Sequence, residues 1–504
     1  MVLMVARVMT VAPIGFEGSL VEVESDSTNG LPSFQIVGLG NKAIDEAKER
    51  VRSAITNSLL DFPKKRITIN LAPAELPKDG AHYDLPIALA VLCVSGQLRQ
   101  QELDKAIYAG ELGLDGNLRP IKGAISIAET ARRHGYSRVY LPVASARQAN
   151  LISDIEVIPV TSLKEIFLHL KSELKLLPLV RNETPDLNEP DSPPLIDDVK
   201  GQDQAKRALI IAAAGHHNIL LNGSPGAGKT MLAKAMVNLL PPLSPEEQIA
   251  TTKLHSLAGE ACEEIITKRS FRMPHHTSSR ISLVGGGNRP KPGEISLAHL
   301  GVLFLDELPE YPRASLEALR QPLEDKTSAM NRAEGRAIYP ADFMLVATMN
   351  PCPCGYYGDS SKECICSATQ IFSYQKRLSG PLLDRIDIVV HVSRVPHETL
   401  LEATSSSNLQ HISAKEMIKK AQKAQVNRYG CSTRYNANMT NREISKFAPL
   451  SPEVKNLLSK AADRLSLSAR SYLKIIKVAR TIADLDGEND ILLAHISEAL
   501  QYRG

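Results

Sequence analysis

Gly223-Ser224-Pro225-Gly226-Ala227-Gly228-Lys229-Thr230 decides how this chain is read. Its spacing is G-x-x-x-x-G-K-[ST], a loop whose glycines let backbone N–H groups converge on phosphates. Asn218 to Leu221 ahead of it has the composition of a short buried strand, and Met231 to Leu240 behind it that of a helix. The helix points its positive end at the loop. The spacing predicts a nucleotide-binding run from Gly223 to Met231, with Lys229 on the β- and γ-phosphates of ATP and Thr230 on Mg²⁺. A glycine turn before a helix is the bland alternative, and the strand and helix on either side count against it.

Val302-Leu303-Phe304-Leu305-Asp306-Glu307 supplies a second half. Four apolar residues predict a buried parallel strand, and its C-terminal end is where open α/β sheets place ligands. Asp306 is expected to hold the Mg²⁺ shell and Glu307 to polarise the attacking water. Phe343 to Thr348 predicts a third strand ending at Asn350, whose amide could orient that water or simply cap a turn before Pro351.

Working outward, 504 residues leave room for two to four domains. A charged fraction of 23% with a net charge of +3 is ordinary, and too weak to imply a nucleic-acid partner by itself. No apolar run reaches the roughly 18–20 residues of a membrane span. The short apolar start, Met1 to Thr10, is expected to be a strand, not a signal peptide. Four of the seven cysteines fall between Cys352 and Cys366, which suggests a metal cluster in a reducing cytoplasm more than a disulfide framework.

Prolines among Asn, Asp and Glu from Leu176 to Asp198 mark a linker, and helical patterns take over after Val395–Pro396. The expected units are 1–172, a linker 173–197, an ATPase core 198–395 and a helical lid 396–504. In the first unit, strands at 19–24, 33–37, 66–71, 106–112, 139–141 and 157–159 are expected in one sheet, with helices at 42–58, 85–95 and 121–134.

These residues and their surroundings resemble the magnesium-chelatase-like AAA+ ATPases, and within them the YifB/ComM family. The stretches that carry the likeness are Val37-Gly38-Leu39, Pro77-Lys78-Asp79-Gly80, the phosphate loop, Pro274-His275-His276-Thr277, Lys291 to His299, Asn350 to Gly355, and Ser379 to Asp387. They run in the right order along nearly the whole chain. The resemblance implies an α/β fold, a P-loop AAA+ core with a C-terminal helical lid, and a homo-oligomeric ring, a hexamer, with ATP between subunits. Arg385 matches the arginine sent into a neighbour's site, where a guanidinium stabilises charge on the γ-phosphate; Arg377 is a weaker candidate. Arg470 matches the lid arginine that reads the nucleotide in cis, with Arg480 as its rival. Residues 273–299 match an insertion of hairpins facing the pore, in which Arg280, Arg289 and Lys291 could contact a phosphate backbone.

Pro77-Lys78-Asp79-Gly80 before an apolar helix also looks like the Lon protease catalytic domain, of the ribosomal S5 domain 2 type. His82 stands where that family has its serine and Ile125 where it has its lysine, so Ser–Lys catalysis is not expected. Lys122 is the one amine that a shifted register could bring near. Cys352-x-Cys354 and Cys364-x-Cys366 could close a tetrahedral Zn²⁺ site, or remain free thiols. Residues 414–504 carry sixteen Lys and Arg against nine Asp and Glu, either a DNA footprint or a solvated face. The YifB/ComM likeness implies DNA, single-stranded or branched, and a branch-migration helicase role in natural transformation. The alternatives are a chelatase motor inserting Mg²⁺ into a porphyrin, and an ATP-switched protein remodeller or adaptor.

Overall fold

The computed structural model describes residues 5–38, 41–76, 78, 80–180, 194–260, 263–287, 291–332, 335–359, 362–395 and 408–503. Pro77, Asp79, Cys262, Arg289, most of the expected linker and the junction 396–407 lie outside the described residues.

Ala6–Ile14, Glu17–Thr28, Arg66–Ala72 and Ser33–Val37 form one sheet in that spatial order. The first three pair antiparallel and Ser33–Val37 joins parallel. Burial alternates along them: Val21, Val23 and Ser25 point inward, as do Ile67, Ile69 and Leu71. Asp84–Val94 is apolar on every side and is buried throughout its first nine residues, as such a helix must be.

Two expectations fail here. The single strand expected at 106–112 is broken into Ala106–Tyr108 and Glu111–Leu112. Gly110 lies at the break, packed so tightly that a Cβ there would sit 2.6 Å from a Leu118 methyl. The strands Arg138–Pro142 and Glu156–Val160 do not close the first sheet. With Ala106–Tyr108 they form a separate parallel one.

The nucleotide half is a five-stranded sheet, Phe271–Arg272, Val302–Leu305, Met344–Met349, Ile219–Gly223 and Ile388–Val392 in spatial order, parallel throughout. The alternation of a strand divides its side chains between two layers. Ile219, Leu221, Val302 and Phe304 face a core shared with helix Asp203–Gly215 and with C-terminal helices such as Ala469–Asp486. Leu220, Leu303, Leu305 and Leu345 face the other way, against Leu283, Ile295, Leu316 and Leu319. The C-terminal helices are therefore part of the sheet's own core.

The described residues of 273–299 include two short helices, Arg280–Val284 and Glu294–Leu297, and a two-residue ladder of Gly285–Gly286 with Lys291–Pro292. A longer hairpin that the sequence reading overlooked, Thr327–Arg332 with Gly335–Pro340, follows them.

That hairpin and helix Pro245–Ala258 dock the first unit onto the second. Ala337, Tyr339, Met330 and Leu254 make a small core that takes in Phe16 and Leu257. Inside it the Lys253 side chain is only 2% exposed, ion-paired to Glu129, with its ammonium 4.1 Å from the Phe16 ring centroid. The Gly123 N–H donates to Ser256 Oγ at 3.1 Å and Gln148 donates to the Glu264 carbonyl at 2.7 Å. Lys253→Ala leaves Glu129 without this cation and removes the stem's apolar contacts. The expected cost is about 1–3 kcal/mol, less than for a fully enclosed pair because Glu129 keeps some contact with solvent. A lower melting temperature in calorimetry checks this; a curve superimposable on the parent's would remove the pair from the docking.

Candidate functional site

The phosphate loop begins where strand Ile219–Gly223 ends. Gly223 is required there, since a Cβ would lie 2.1 Å from the Val392 carbonyl oxygen of the neighbouring strand. Gly226 and Gly228 take left-handed φ values of 78° and 87° that let the chain double back. Gly228 then caps helix Lys229–Leu239 with no side-chain hydrogen bond. The first N–H groups of that helix are left free of side-chain caps, which suits an anion. Thr230 and the exposed Met231 follow in its first turn.

Three strand ends meet at Lys229. Its ammonium donates to the Gly223 carbonyl at 2.5 Å, to the Ser224 carbonyl at 3.0 Å and to Asn350 Oδ1 at 3.1 Å. Burial pulls the Lys229 pKa down, and the nearby Asp306 and Glu307 carboxylates hold it up. Two acids, one lysine and one amide from separate strands thus share one end of the sheet, as the sequence suggested they would.

Thr348 is the residue that the sequence reading missed. Its hydroxyl donates to Asp306 Oδ1 at 2.5 Å and accepts from the Glu307 N–H at 2.9 Å. It therefore fixes one oxygen of Asp306. Glu307 itself has a left-handed φ of 51°, uncommon outside glycine and Asn, which turns the chain sharply at the strand end. A threonine inside an apolar strand carries no local signal; only the strand register reveals it.

Arg385 is far from this cluster. Its backbone carbonyl accepts from Asn218 Nδ2 at 3.0 Å, and Asn218 precedes the strand that leads to the phosphate loop. Five steps of roughly 3.3 Å put about 16 Å between Asn218 and Gly223. The Arg385 guanidinium donates to the Arg320 carbonyl at 3.0 Å, to the Pro381 carbonyl at 2.7 Å and to Glu324. Arg470 donates to the other oxygen of Glu324 at 3.1 Å. Both arginines line one cleft of about 550 Å³ with Lys326, Asp384 and Lys474. The structure thus groups Arg470 with Arg385, not with Lys229 of the same chain. Arg377 pairs with Glu310 at 2.9 Å. Arg480 is 1% exposed and is consumed by Asp484 and by the carbonyls of Glu488 and Asn489, which removes it as a nucleotide reader.

Arg280 and Lys291 are exposed. In the first unit His82 is buried with no hydrogen-bond partner for Nε2 among the described residues, and burial pushes its pKa down to about 4. Ile125 is fully buried in an apolar cluster. Neither supplies the hydroxyl or the amine of a Ser–Lys pair. The Lys122 side chain packs over Gly259 of the second unit. Cys352, Cys354, Cys364 and Cys366 bring their sulfurs within 4.8 Å of one another.

Five parallel strands in this order, with a phosphate loop after one and an acidic pair after another, define a P-loop AAA+ core. Comparison with known proteins narrows the class. The family profile described as magnesium chelatase, subunit ChlI, matches residues 195–400; related profiles match 23–145 and, as the ChlI C-terminal region, 410–503. Competence protein ComM of Haemophilus influenzae is 42% identical over 502 residues, covering 99% of this chain and 97% of its own. The uncharacterised protein YifB of Escherichia coli is 41% identical over 500 residues, with 98% and 96% covered. The magnesium-chelatase 67 kDa subunit of Chlorobaculum parvum is 27% identical over 158 residues, with 31% and 23% covered. The chain belongs to the ComM/YifB-type family of magnesium-chelatase-like AAA+ proteins. Membership implies an ATPase that uses ATP and Mg²⁺.

Thr348→Val keeps the shape of the strand but frees Asp306 and leaves the Glu307 N–H without its acceptor. ATP turnover is expected to fall about tenfold or more, with nucleotide affinity little changed. Steady-state ATPase rates beside a nucleotide titration check this, and an unchanged turnover would strip Thr348 of the role.

Proposed function

We propose that this chain is an ATP-driven ring motor that remodels or translocates DNA. The observation that carries the ring is the separation of Arg385 from Lys229 along the central strand. Gly223 lies about 16 Å along the strand from Asn218, whose side chain holds the Arg385 backbone, so Arg385 stands at the strand's opposite end, where it suits a neighbour's phosphate loop better than its own. In a closed hexameric ring, each subunit offers Lys229, Thr230, Asp306, Glu307 and Asn350 on one side and Arg385 with Arg470 on the other.

In this reading the phosphate-loop N–H groups and Lys229 bind the triphosphate, while Thr230 and Asp306 hold Mg²⁺. Glu307 takes a proton from the attacking water and Asn350 helps to position it. Arg385 from the adjoining copy neutralises charge on the γ-phosphate, and Arg470 acts beside it across the same boundary instead of in cis. The residues present suit that chemistry: one oxygen of Asp306 is already fixed by Thr348, and no side chain caps the loop helix.

DNA as the substrate is supported by the full-length likeness to a competence protein and by the basic balance of residues 414–504. A ring holding a phosphate backbone through Arg280, Arg289 and Lys291 needs little base reading. We read residues 1–172 as a Lon-like docking domain without proteolysis, 173–197 as a linker, 198–395 as the motor core and 396–504 as its lid, in a cytoplasmic protein. Among the described residues no helix is long and apolar enough to cross a membrane. The chelatase alternative is weaker, because the 67 kDa chelatase subunit of Chlorobaculum parvum is 27% identical over 31% of this chain, against 42% over 99% for the competence protein.

Lys229→Ala is expected to abolish ATP hydrolysis and to weaken ATP binding; normal turnover would overturn the phosphate assignment. Glu307→Gln should keep ATP and fail to cleave it, trapping a hexamer that native mass spectrometry detects. A monomer at saturating ATP would sink the ring. Forked DNA should stimulate ATPase activity of the parent protein more than a porphyrin does. Stimulation by porphyrin alone would favour the chelatase reading, and no response to either would favour a protein remodeller.

A further inference from the structure

The segment after Asn350 has no evident means of holding its shape. Among its described residues from 351 to 366 there is no helix and no strand. Ile365 is 88% exposed and Tyr357 53% exposed, so the loop has little apolar core of its own. Loops of this length without regular structure normally need a function or a staple. The groups that do converge are sulfurs. Cys352 Sγ lies 3.3 Å from Cys354 Sγ and 3.6 Å from Cys364 Sγ, and Cys354 and Cys364 are 3.6 Å apart. A tetrahedron with arms of about 2.3 Å has edges of about 3.8 Å, close to these separations. They are far longer than a disulfide bond, and all four thiols are free. The Tyr357 N–H points at Cys352 Sγ from 3.3 Å, the kind of outer donor that thiolate ligands recruit.

This loop also touches the phosphate loop. Asp359 accepts from the Ser224 hydroxyl. Gly355, at φ 83°, lies so close that a Cβ would be 2.5 Å from Pro225 Cδ. Arg394 donates to the Pro225 carbonyl at 3.1 Å and stands 3.8 Å from Asp359. Asn350, the acceptor for Lys229, lies two residues before the first cysteine.

We propose that Cys352, Cys354, Cys364 and Cys366 bind one Zn²⁺, and that the loop folded by this ion braces the phosphate loop from its outer side. Binding converts four thiols to thiolates and releases four protons, so the centre carries a net charge of −2. Lys362, whose ammonium lies 4.3 Å from the Tyr356 ring centroid, and Arg394, at 5.3 Å from the same ring, bring two cations to an aromatic side chain that stands between the cysteine pairs in sequence. Without the ion the loop loses the link between its two cysteine pairs, and Asp359 and Gly355 lose their fixed seat against Ser224 and Pro225. The ion takes no part in the chemistry; it acts on nucleotide affinity through the position of the phosphate loop. The metal site stands apart from the DNA assignment, whereas the brace rests on the phosphate-loop assignment made above.

The test uses the full-length protein, purified without chelator. Elemental analysis should find about one zinc per chain, and the Cys364→Ser/Cys366→Ser double variant should have lost it. Fluorescent ATP should then bind about tenfold more weakly to that variant and to chelator-stripped protein, with affinity restored to the stripped protein by Zn²⁺ alone. Asp359→Ala should keep its zinc and still weaken ATP binding. Protein devoid of zinc, or loaded with iron in its place, overturns the site. Zinc bound, with nucleotide affinity unchanged in the stripped protein and in Asp359→Ala, overturns the brace. If circular dichroism shows the cysteine variant unfolded, the Asp359→Ala titration decides the brace by itself. Undiminished ATP binding by Lys229→Ala would indict the phosphate-loop assignment instead, and would leave the zinc measurement standing.

Discussion

An ammonium held in a half-buried cleft has to be satisfied on every side, and the geometry around Lys229 follows from that demand. Desolvation favours its neutral form, so oxygen atoms must crowd around it to keep the charge. They come from Gly223 and Ser224 on its own loop and from Asn350 at the end of another strand, with the Asp306 and Glu307 carboxylates behind. No short segment could bring these groups together. A parallel sheet can, because it delivers the C-terminal ends of several strands to one edge. The register of Leu220 with Ala347, and of Ala347 with Leu305, is what makes the meeting geometrically compulsory.

The same sheet ties the distant parts of the chain to the site. Its two faces are sealed by different layers, one of them containing the C-terminal helices. Those helices are in turn cross-braced by buried polar groups. Arg428 makes a two-pronged pair with Asp484 at 2.8 and 2.6 Å, and Asn436 donates to the same carboxylate at 2.8 Å. A network in which each partner is satisfied rigidifies what it joins. Movement at the phosphate edge therefore meets a stiff backing layer, while the first unit is attached through the smaller patch around Lys253.

Much of this was legible in the residues. The phosphate loop, the acidic strand end and Asn350 announce themselves because their chemistry is local: a fixed spacing, or an apolar run closed by a polar group. What stayed hidden depends on neighbours across strands. Thr348 earns its place only through a pairing between separate strands. The split of 106–112 reflects Leu118 pressing on Gly110, a contact that hydropathy does not encode. The partition of the first unit into two sheets is likewise a matter of topology and not of strand propensity. The family resemblance implies Arg470 beside its own nucleotide, and only the tertiary packing groups it with Arg385 and Glu324 instead.

Glu324 offers one negative charge to two guanidinium groups, Arg385 through one oxygen and Arg470 through the other. Taken alone, that trio keeps one positive charge uncompensated at the outer wall of its cleft. A lone carboxylate stretched between two cations is also a weak leash, since Glu324 is half-exposed and water competes for it. In the proposed ring, that wall can trade its internal anion for an external one bearing several oxygens. Because an exposed charge is felt over only about 10 Å at 0.1 M salt, that exchange is a short-range event, sensitive to ionic strength.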